Sequence, residues 1–235
     1  MELPIPSRTL FLCFRVGMKV TIRKGKAKDA EAIVNTTNVA FMADAFFKRK
    51  EYHDRFTRED VVAMMTATDS IFIVAECEDF DDGNASGADD DVDARAVEVR
   101  DVLNAVGSTG SPTKAFTPVS LLCGSMYLHW QCEAAMLVGK FSAVSVPAQF
   151  SKRGLGSALV AAAEGFLKLL LKEAKHCTCA RMEMGIINVR RDLFPWYEKQ
   201  GYVRIGDMPR DNELQRIVSA DHAHVCCVLM RKTLS

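Results

Sequence analysis

The segment that most limits what this chain can become is residues 146–170, "VPAQFSKRGLGSALVAAAEGFLKLL". It reads as the end of a strand, a short turn holding Gly154 and Gly156, and a long apolar helix. A helix that starts within a residue or two of Gly154 aims its free N–H groups and its positive end at one spot. The glycines allow positive φ and let a bulky anion approach the main chain. Lys152 and Arg153 add charge there, and a pyrophosphate suits such a site. The segment does not carry a full phosphate-binding signature. Leu159 stands where the dinucleotide fingerprint needs its third glycine, and no Gly-Lys-Ser/Thr follows. Alone it is also an ordinary strand–helix connection, so the rest of the chain has to decide.

The rest reads as one mixed sheet covered by helices. Alternation over "MKVTIRKG" predicts a strand near residues 18–25, and helical spacing predicts a helix through residues 26–50. "TREDVVAMMTAT" predicts a second helix with Thr57 as N-cap, followed by a buried strand, "SIFIVAECE". Residues 78–93 then hold eight acids and no Lys or Arg. The stretch over 79–117 is expected to be an acidic, mobile insertion. Strands resume at "PVSLLCGSMYLHWQ" and "EAAMLVGKFSAVSV", with a tight turn between them. After the glycine turn come a helix over 155–173, a strand in "ARMEMGIINV", a short helix in "RDLFPWYEKQ", a strand in "GYVRIGD" and a last strand in "HAHVCCVLMRK". On the long helix Leu155, Ala158, Leu159, Ala162, Phe166, Leu169 and Leu170 share a face.

Composition excludes more than it assigns. Thirty Lys plus Arg balance thirty Asp plus Glu, so overall charge gives no argument for nucleic acid or an anionic membrane. No apolar stretch reaches the roughly 18 residues of a membrane span. The eight cysteines lack framework spacing and read as buried free thiols, which points to a reducing compartment and a cytoplasmic protein. "HCTC" and "HAHVCC" lack paired zinc-ligand spacing, so no metal is expected. Arg23, Lys24, Lys26 and Lys28 read as a solvated basic face.

Two segments together point to a family. "VSVPAQFSKRGLGSALV" resembles the acyl-CoA motif of the GCN5-related N-acetyltransferase (GNAT) superfamily: a strand, then R/Q-x-x-G-x-G/A, then a helix. "VRRDLFPWYEKQGYVRIG", some forty residues on, is similar to that superfamily's second signature, a short helix with a tyrosine followed by Gly-Tyr/Phe. The "DLFPWY" form resembles the serotonin (arylalkylamine) N-acetyltransferase branch. The likeness covers residues 20–77 and 118–235. Ser151 stands where the motif has Arg or Gln, leaving Lys152 and Arg153 to supply charge.

The resemblance implies a single α/β domain over residues 18–235, preceded by an extension over 1–17. Its mixed, mostly antiparallel sheet would have six to seven strands, splayed at the centre, and about four helices. It further implies acetyl-CoA as co-substrate and transfer of the acetyl group to a primary amine, a small and possibly arylalkyl one. Val144, Ser145 and Val146 would pair with the pantetheine arm, with the Val146 N–H as oxyanion donor. Ser151, Lys152, Arg153, Gly154, Leu155, Gly156 and Ser157 would hold the pyrophosphate, and Asn188 falls among the coenzyme contacts. Tyr197 would protonate the leaving thiolate. The first two helices would wall the acceptor pocket, where Phe41, Phe46 and Phe47 suit an apolar amine. The branch's two histidines are replaced by Lys140 and Ser142; His129, Glu133, His222 and His224 read as structural or exposed, so no base is assigned. Two alternatives stay open: a non-catalytic acyl-CoA sensor or scaffold, and a protein or peptide N-acetyltransferase.

Overall fold

The computed structural model describes residues 10–13, 19–78, 121–209 and 211–234. The expected acidic insertion therefore lies outside the described residues. So does most of the expected N-terminal extension, of which Leu10–Cys13 forms a strand.

In chain order the strands are β1 (Leu10–Cys13), β2 (Lys19–Lys24), β3 (Ser70–Glu78), β4 (Leu121–Glu133), β5 (Met136–Ser145), β6 (Cys179–Ile187), β7 (Val203–Asp207) and β8 (Cys227–Leu234). The helices are α1 (Ala30–Phe41), α2 (Arg58–Thr66), α3 (Leu155–Glu173), α4 (Leu193–Lys199) and α5 (Asn212–Ile217). All eight strands form one sheet in the order β1-β2-β3-β4-β5-β6-β8-β7. The expected architecture holds; the added strand is β1, paired on β2, and the added helix is α5. Asp211 caps α5, its Oδ1 accepting the Leu214 N–H at 2.7 Å, a signal present in "DNELQ".

Among the described residues every strand pair is antiparallel but one. β5 and β6 run parallel and stay in register only from Met136↔Cys179 to Lys140↔Glu183. Beyond Lys140 the two strands part, opening a cleft in the middle of the sheet. Gly139 sits just before that point because α3 and β6 crowd it: a Cβ there would lie 2.8 Å from both Leu167 Cδ2 and Met182 Sδ. A second irregularity shapes the same strand. The β4–β5 register shifts between Ser125 and Tyr127, and Ala143 takes φ +53° on the β5 side, the mark of a bulge that re-aims the strand. Ser145, fully buried, donates its hydroxyl to the Ala143 carbonyl at 2.9 Å and braces the bulge.

The main core lies between the sheet and α3. Leu155, Leu159, Ala163, Leu167 and Leu170 point into it, while Ala158, Ala162 and Phe166 flank it, so the buried stripe is rotated slightly from the expected face. A smaller cluster joins α1 and α2 to the other face through Ile33, Val61, Phe72 and Val74. Thr57 caps α2 as expected, in a reciprocal box with Asp60.

The helix expected over 26–50 ends at Phe41. Phe47 turns away to join Val218 and Val225 in a third cluster, and the chain beyond it bridges at Lys48↔Val218. The last strand begins at Cys227, so His222 and His224 do not lie on it as expected; Ala220–His222 is a 3-10 turn. Arg23 leaves the expected basic face, because it is half-buried and pairs with Asp29 at 2.7 Å and Glu76 at 2.6 Å. Cys123 and Cys177 are buried free thiols as expected, but Cys132 is exposed.

Candidate active site

The sheet's opening, the glycine turn and the α4 tyrosine meet at one cavity of about 760 Å³. Its floor is the parted ends of β5 (Phe141 to Val144, then Val146) and β6 (Met184 to Ile187).

One end is built by the turn. Gly154 is the N-cap of α3 in the left-handed region at φ +78°, and it has no side chain with which to satisfy the first-turn N–H groups. Lys152 is left-handed too, at φ +59°. Two left-handed residues so close together bend the main chain sharply just before the helix start, where the first-turn N–H groups have no intrahelical partner. Gly156 has an added reason to be glycine: a Cβ would lie 3.1 Å from the Trp196 ring. The lining here includes Ser151, Lys152, Gly154, Leu155, Gly156 and Ser157. Arg153 and Ser145 are not in it. Nor is Asn188, whose side chain is used elsewhere: its Nδ2 donates to His224 O at 3.2 Å and its Oδ1 accepts from Cys226 N at 3.2 Å. It ties the end of β6 to the chain before β8.

Tyr197 stands between the two ends. It is 4% exposed and boxed by Trp196 at 4.5 Å, Tyr202 at 5.9 Å and Phe141 at 6.1 Å between ring centroids. Burial pushes its hydroxyl well above the ordinary tyrosine pKa, opposed by the positive Arg190. The phenol therefore keeps its proton throughout the neutral range. Among the described residues no hydrogen-bond partner reaches the Tyr197 hydroxyl. The neighbouring Tyr202 donates its own to Glu164 Oε1 at 2.9 Å. One phenol is committed to the scaffold and the other is free at the cavity.

The far end was not legible as a site. Phe41 and Phe47 line it, while Phe46 is 56% exposed and lies outside the lining. Asp44, Lys48, Arg55, Arg190, Asp192 and Asp211 line the cavity as well. Arg190 binds Asp44 at 2.7 Å and Asp192 at 3.0 Å, joining the end of α1 to the start of α4. None of His129, Glu133, His222 or His224 is in the lining. Glu133 pairs with Arg181 at 2.7 Å, and His222 shares a 2.9 Å hydrogen bond with Ser219. Among the described residues no group of metal-ligating side chains gathers, and no helix is long and apolar enough to cross a membrane.

The fold has known counterparts. An acetyltransferase of the GNAT family from Streptococcus pneumoniae superposes with a TM-score of 0.52 at 15% identity, covering 92% of this chain and 99% of that one. The fold is that of the GNAT acetyltransferases. The Salmonella typhimurium protein yncA, solved with its cofactor acetyl-CoA, aligns at TM-score 0.54 and 16% identity, over 92% of this chain and 94% of its own. Spermidine N-acetyltransferase from Vibrio cholerae, solved with CoA and spermine, gives TM-score 0.54 at 12% identity, over 92% and 95%. No protein-family model and no curated protein sequence matches the chain.

Proposed function

We propose that this chain is an acetyl-CoA-dependent N-acetyltransferase acting on a small primary amine, with residues 18–235 as its catalytic unit and 79–117 as an acidic insertion. The observation that carries this reading is that the glycine turn, the parted β5–β6 edge and Tyr197 open onto one cavity. The turn fits the coenzyme's diphosphate: its N-cap is a glycine, two residues are left-handed, and Lys152 lies in the lining. Residues 144–146 of the parted strand would add the pantetheine arm as a further strand. The Val146 N–H would face the thioester oxygen, a donor worth about 3 kcal/mol in the transition state.

The amine lone pair forms the C–N bond and the carbonyl electrons move to oxygen. Collapse of that oxyanion breaks the C–S bond, and the Tyr197 hydroxyl gives its proton to the departing sulfur. The proton lost by the amine passes to solvent, which also restores the phenol. No residue is assigned as base, and the acceptor is taken to arrive already neutral. Phe41 and Phe47 would pack its apolar part, in keeping with the arylalkylamine-like "DLFPWY" segment. The buried free thiols of Cys123 and Cys177 fit a reducing compartment, and we place the protein in the cytoplasm.

The test is thiol release from acetyl-CoA with a panel of primary amines, polyamines and peptides, alongside acetyl-CoA affinity measured by calorimetry. Acceptor-dependent turnover is expected. Tight coenzyme binding with no turnover on any acceptor would leave the sensor reading standing, and no coenzyme binding would end both.

A further inference from the structure

Most of the half-buried arginines and lysines among the described residues are paired. Arg23 binds Asp29 and Glu76, Arg190 binds Asp44 and Asp192, Arg181 binds Glu133, and Lys232 binds Glu164 at 2.7 Å. Lys48 and Arg55, both in the cavity lining, break the pattern. Among the described residues no carboxylate comes within ion-pairing distance of either. The Arg55 Nε is buried with no hydrogen-bond partner. Burial lowers the Lys48 pKa, Asp44 opposes that shift, and Arg55 adds to it. Asp44 itself is already held by Arg190.

The two cations are brought together. Lys48 Nζ lies 5.4 Å and Arg55 Cζ 5.6 Å from the centroid of the same ring, Phe41. Arg55 also lies 5.6 Å from Phe56. A cation over an aromatic face is stabilised by about 0.5–1 kcal/mol at exposed sites, less than the cost of drying a charge. Their backbones are pinned as well. Asn38 Oδ1 accepts from Arg55 N at 2.8 Å and Phe56 N at 3.0 Å, and its Nδ2 donates to Phe56 O at 2.9 Å. The Lys48 segment is held by its bridge to Val218 and by Arg49 N donating to Ile217 O at 2.9 Å. Two like charges fixed over one ring in the cavity, with no carboxylate among the described residues within ion-pairing distance, form a preorganised anion site.

We propose that Lys48 and Arg55 bind a carboxylate on the acceptor, so that the substrate is an amino-acid-like amine: a primary amine and a carboxylate on an apolar frame that packs on Phe41. This rests on the acetyltransferase reading and narrows it. The carboxylate is held at the α1–α2 side while the amine reaches toward β5 and Tyr197. The same two charges disfavour polyamines, since of the lining carboxylates Asp44 and Asp192 are already held by Arg190 and Asp211 caps α5. Spermine, the ligand of the Vibrio cholerae neighbour, is a polycation and would meet two fixed positive groups.

The experiment compares amino acids with their own amides, both as acceptors and, in the N-acetylated form, as ligands by calorimetry. It uses the wild type, the Lys48→Met/Arg55→Met double variant and the charge-keeping pair Lys48→Arg and Arg55→Lys. In the wild type the carboxylate forms should exceed the amides by about 30-fold, as expected for charge-assisted hydrogen bonds. The double variant should bring that ratio to within about threefold, with acetyl-CoA affinity within about twofold of wild type. The charge-keeping variants should retain the preference even if the double variant folds poorly. Equal use of amides in the wild type would overturn the proposal, as would an unchanged ratio in the double variant. A loss of acetyl-CoA affinity in the double variant would overturn it too, since the cations would then serve the coenzyme. If no acceptor is turned over, the N-acetyl ligands decide: equal binding of acid and amide sinks the carboxylate site. Loss of acetyl-CoA binding by the wild type, measured separately, sinks the catalytic reading beneath it.

Discussion

The two ends of the cavity are built by different means. The glycine-turn end is mostly main chain: left-handed Lys152 and Gly154, an uncapped helix start, and a strand edge released from pairing beyond Lys140. The α1–α2 end is mostly side chain: Phe41, Asp44, Phe47, Lys48 and Arg55, with Arg190 and Asp192 from α4's approach and Asp211 from α5's cap. Recognition by main chain needs particular φ angles and close approach, so it confines residue types over a short contiguous stretch and leaves a motif. Recognition by side chain gathers residues from positions as far apart as 44 and 190, and any surface-compatible residue can occupy each. The difference predicts opposite responses to mutation at the two ends.

The largest effect belongs to the seam between them. Tyr197→Phe should lower kcat by about 10²-fold or more, the usual worth of a positioned acid, while acetyl-CoA affinity stays within about twofold. An unchanged kcat would remove the acid role and leave the aromatic box as mere packing. Because burial raises the Tyr197 pKa, its neutral form persists as pH climbs past 10. No alkaline loss of rate below that point should come from this group. Instead kcat/KM should rise about tenfold per pH unit until it reaches the acceptor amine's own pKa. A plateau near pH 6–7 that is the same for amines of different pKa would mean that a histidine base had been overlooked.

Next come the two ends themselves. At the glycine-turn end, Gly154→Val should weaken acetyl-CoA by about 10-fold or more, because a β-branched residue at φ +78° is a steric outlier. Lys152→Ala should cost only about threefold, since one exposed charge is worth little beside the fixed N–H groups. A reversed order, with Lys152 dominant and Gly154 tolerant, would break the distinction between the ends. At the α1–α2 end the reverse is expected: the Lys48 and Arg55 side chains carry the acceptor preference.

That distinction also explains what the sequence disclosed. The sheet and the four main helices were legible because alternation and helical spacing report burial directly, whereas the splayed pair was expected only from the family resemblance. Tyr197 was singled out by the resemblance, as the tyrosine within a short helix that precedes Gly201-Tyr202. Asn188, assigned to the coenzyme by the resemblance, has its amide bonded to the residue 224–226 segment, and nothing local in "IINVR" foretells that tie. Arg55 follows "KEYHD" with no periodicity, so its place over Phe41 depends on Asn38, seventeen residues earlier, catching the backbone at 55 and 56. The break in the first helix was hidden for a similar reason. Ala30, Ile33, Val34, Thr37, Ala40 and Phe41 keep helical spacing with no stop signal after them, but Phe47 is buried against Val218 and Val225, which are remote in sequence.

The smallest effect separates scaffold from site most cleanly, because the chain contains its own control. Ala134 and Ala143 share nearly the same strained backbone, φ +52° and +53°. An alanine held left-handed costs roughly 1 kcal/mol, which glycine would avoid. Ala134 is at the β4–β5 hairpin tip, where its Cβ is exposed and there is no burial to lose. Ala134→Gly should therefore stabilise by about 0.5 kcal/mol, after the added entropy of the unfolded glycine, and raise Tm by about 1–2 °C. Ala143 sits in the bulge that lines the cavity and is only 5% exposed. Removing its methyl loses about 0.8 kcal/mol of burial, which cancels the relief of strain. Ala143→Gly should thus leave Tm unchanged while loosening the strand edge that presents residues 144–146, and acetyl-CoA affinity should fall by about threefold. If both variants raise Tm alike and neither alters coenzyme binding, the bulge is only a local adjustment of the sheet and contributes nothing to the site.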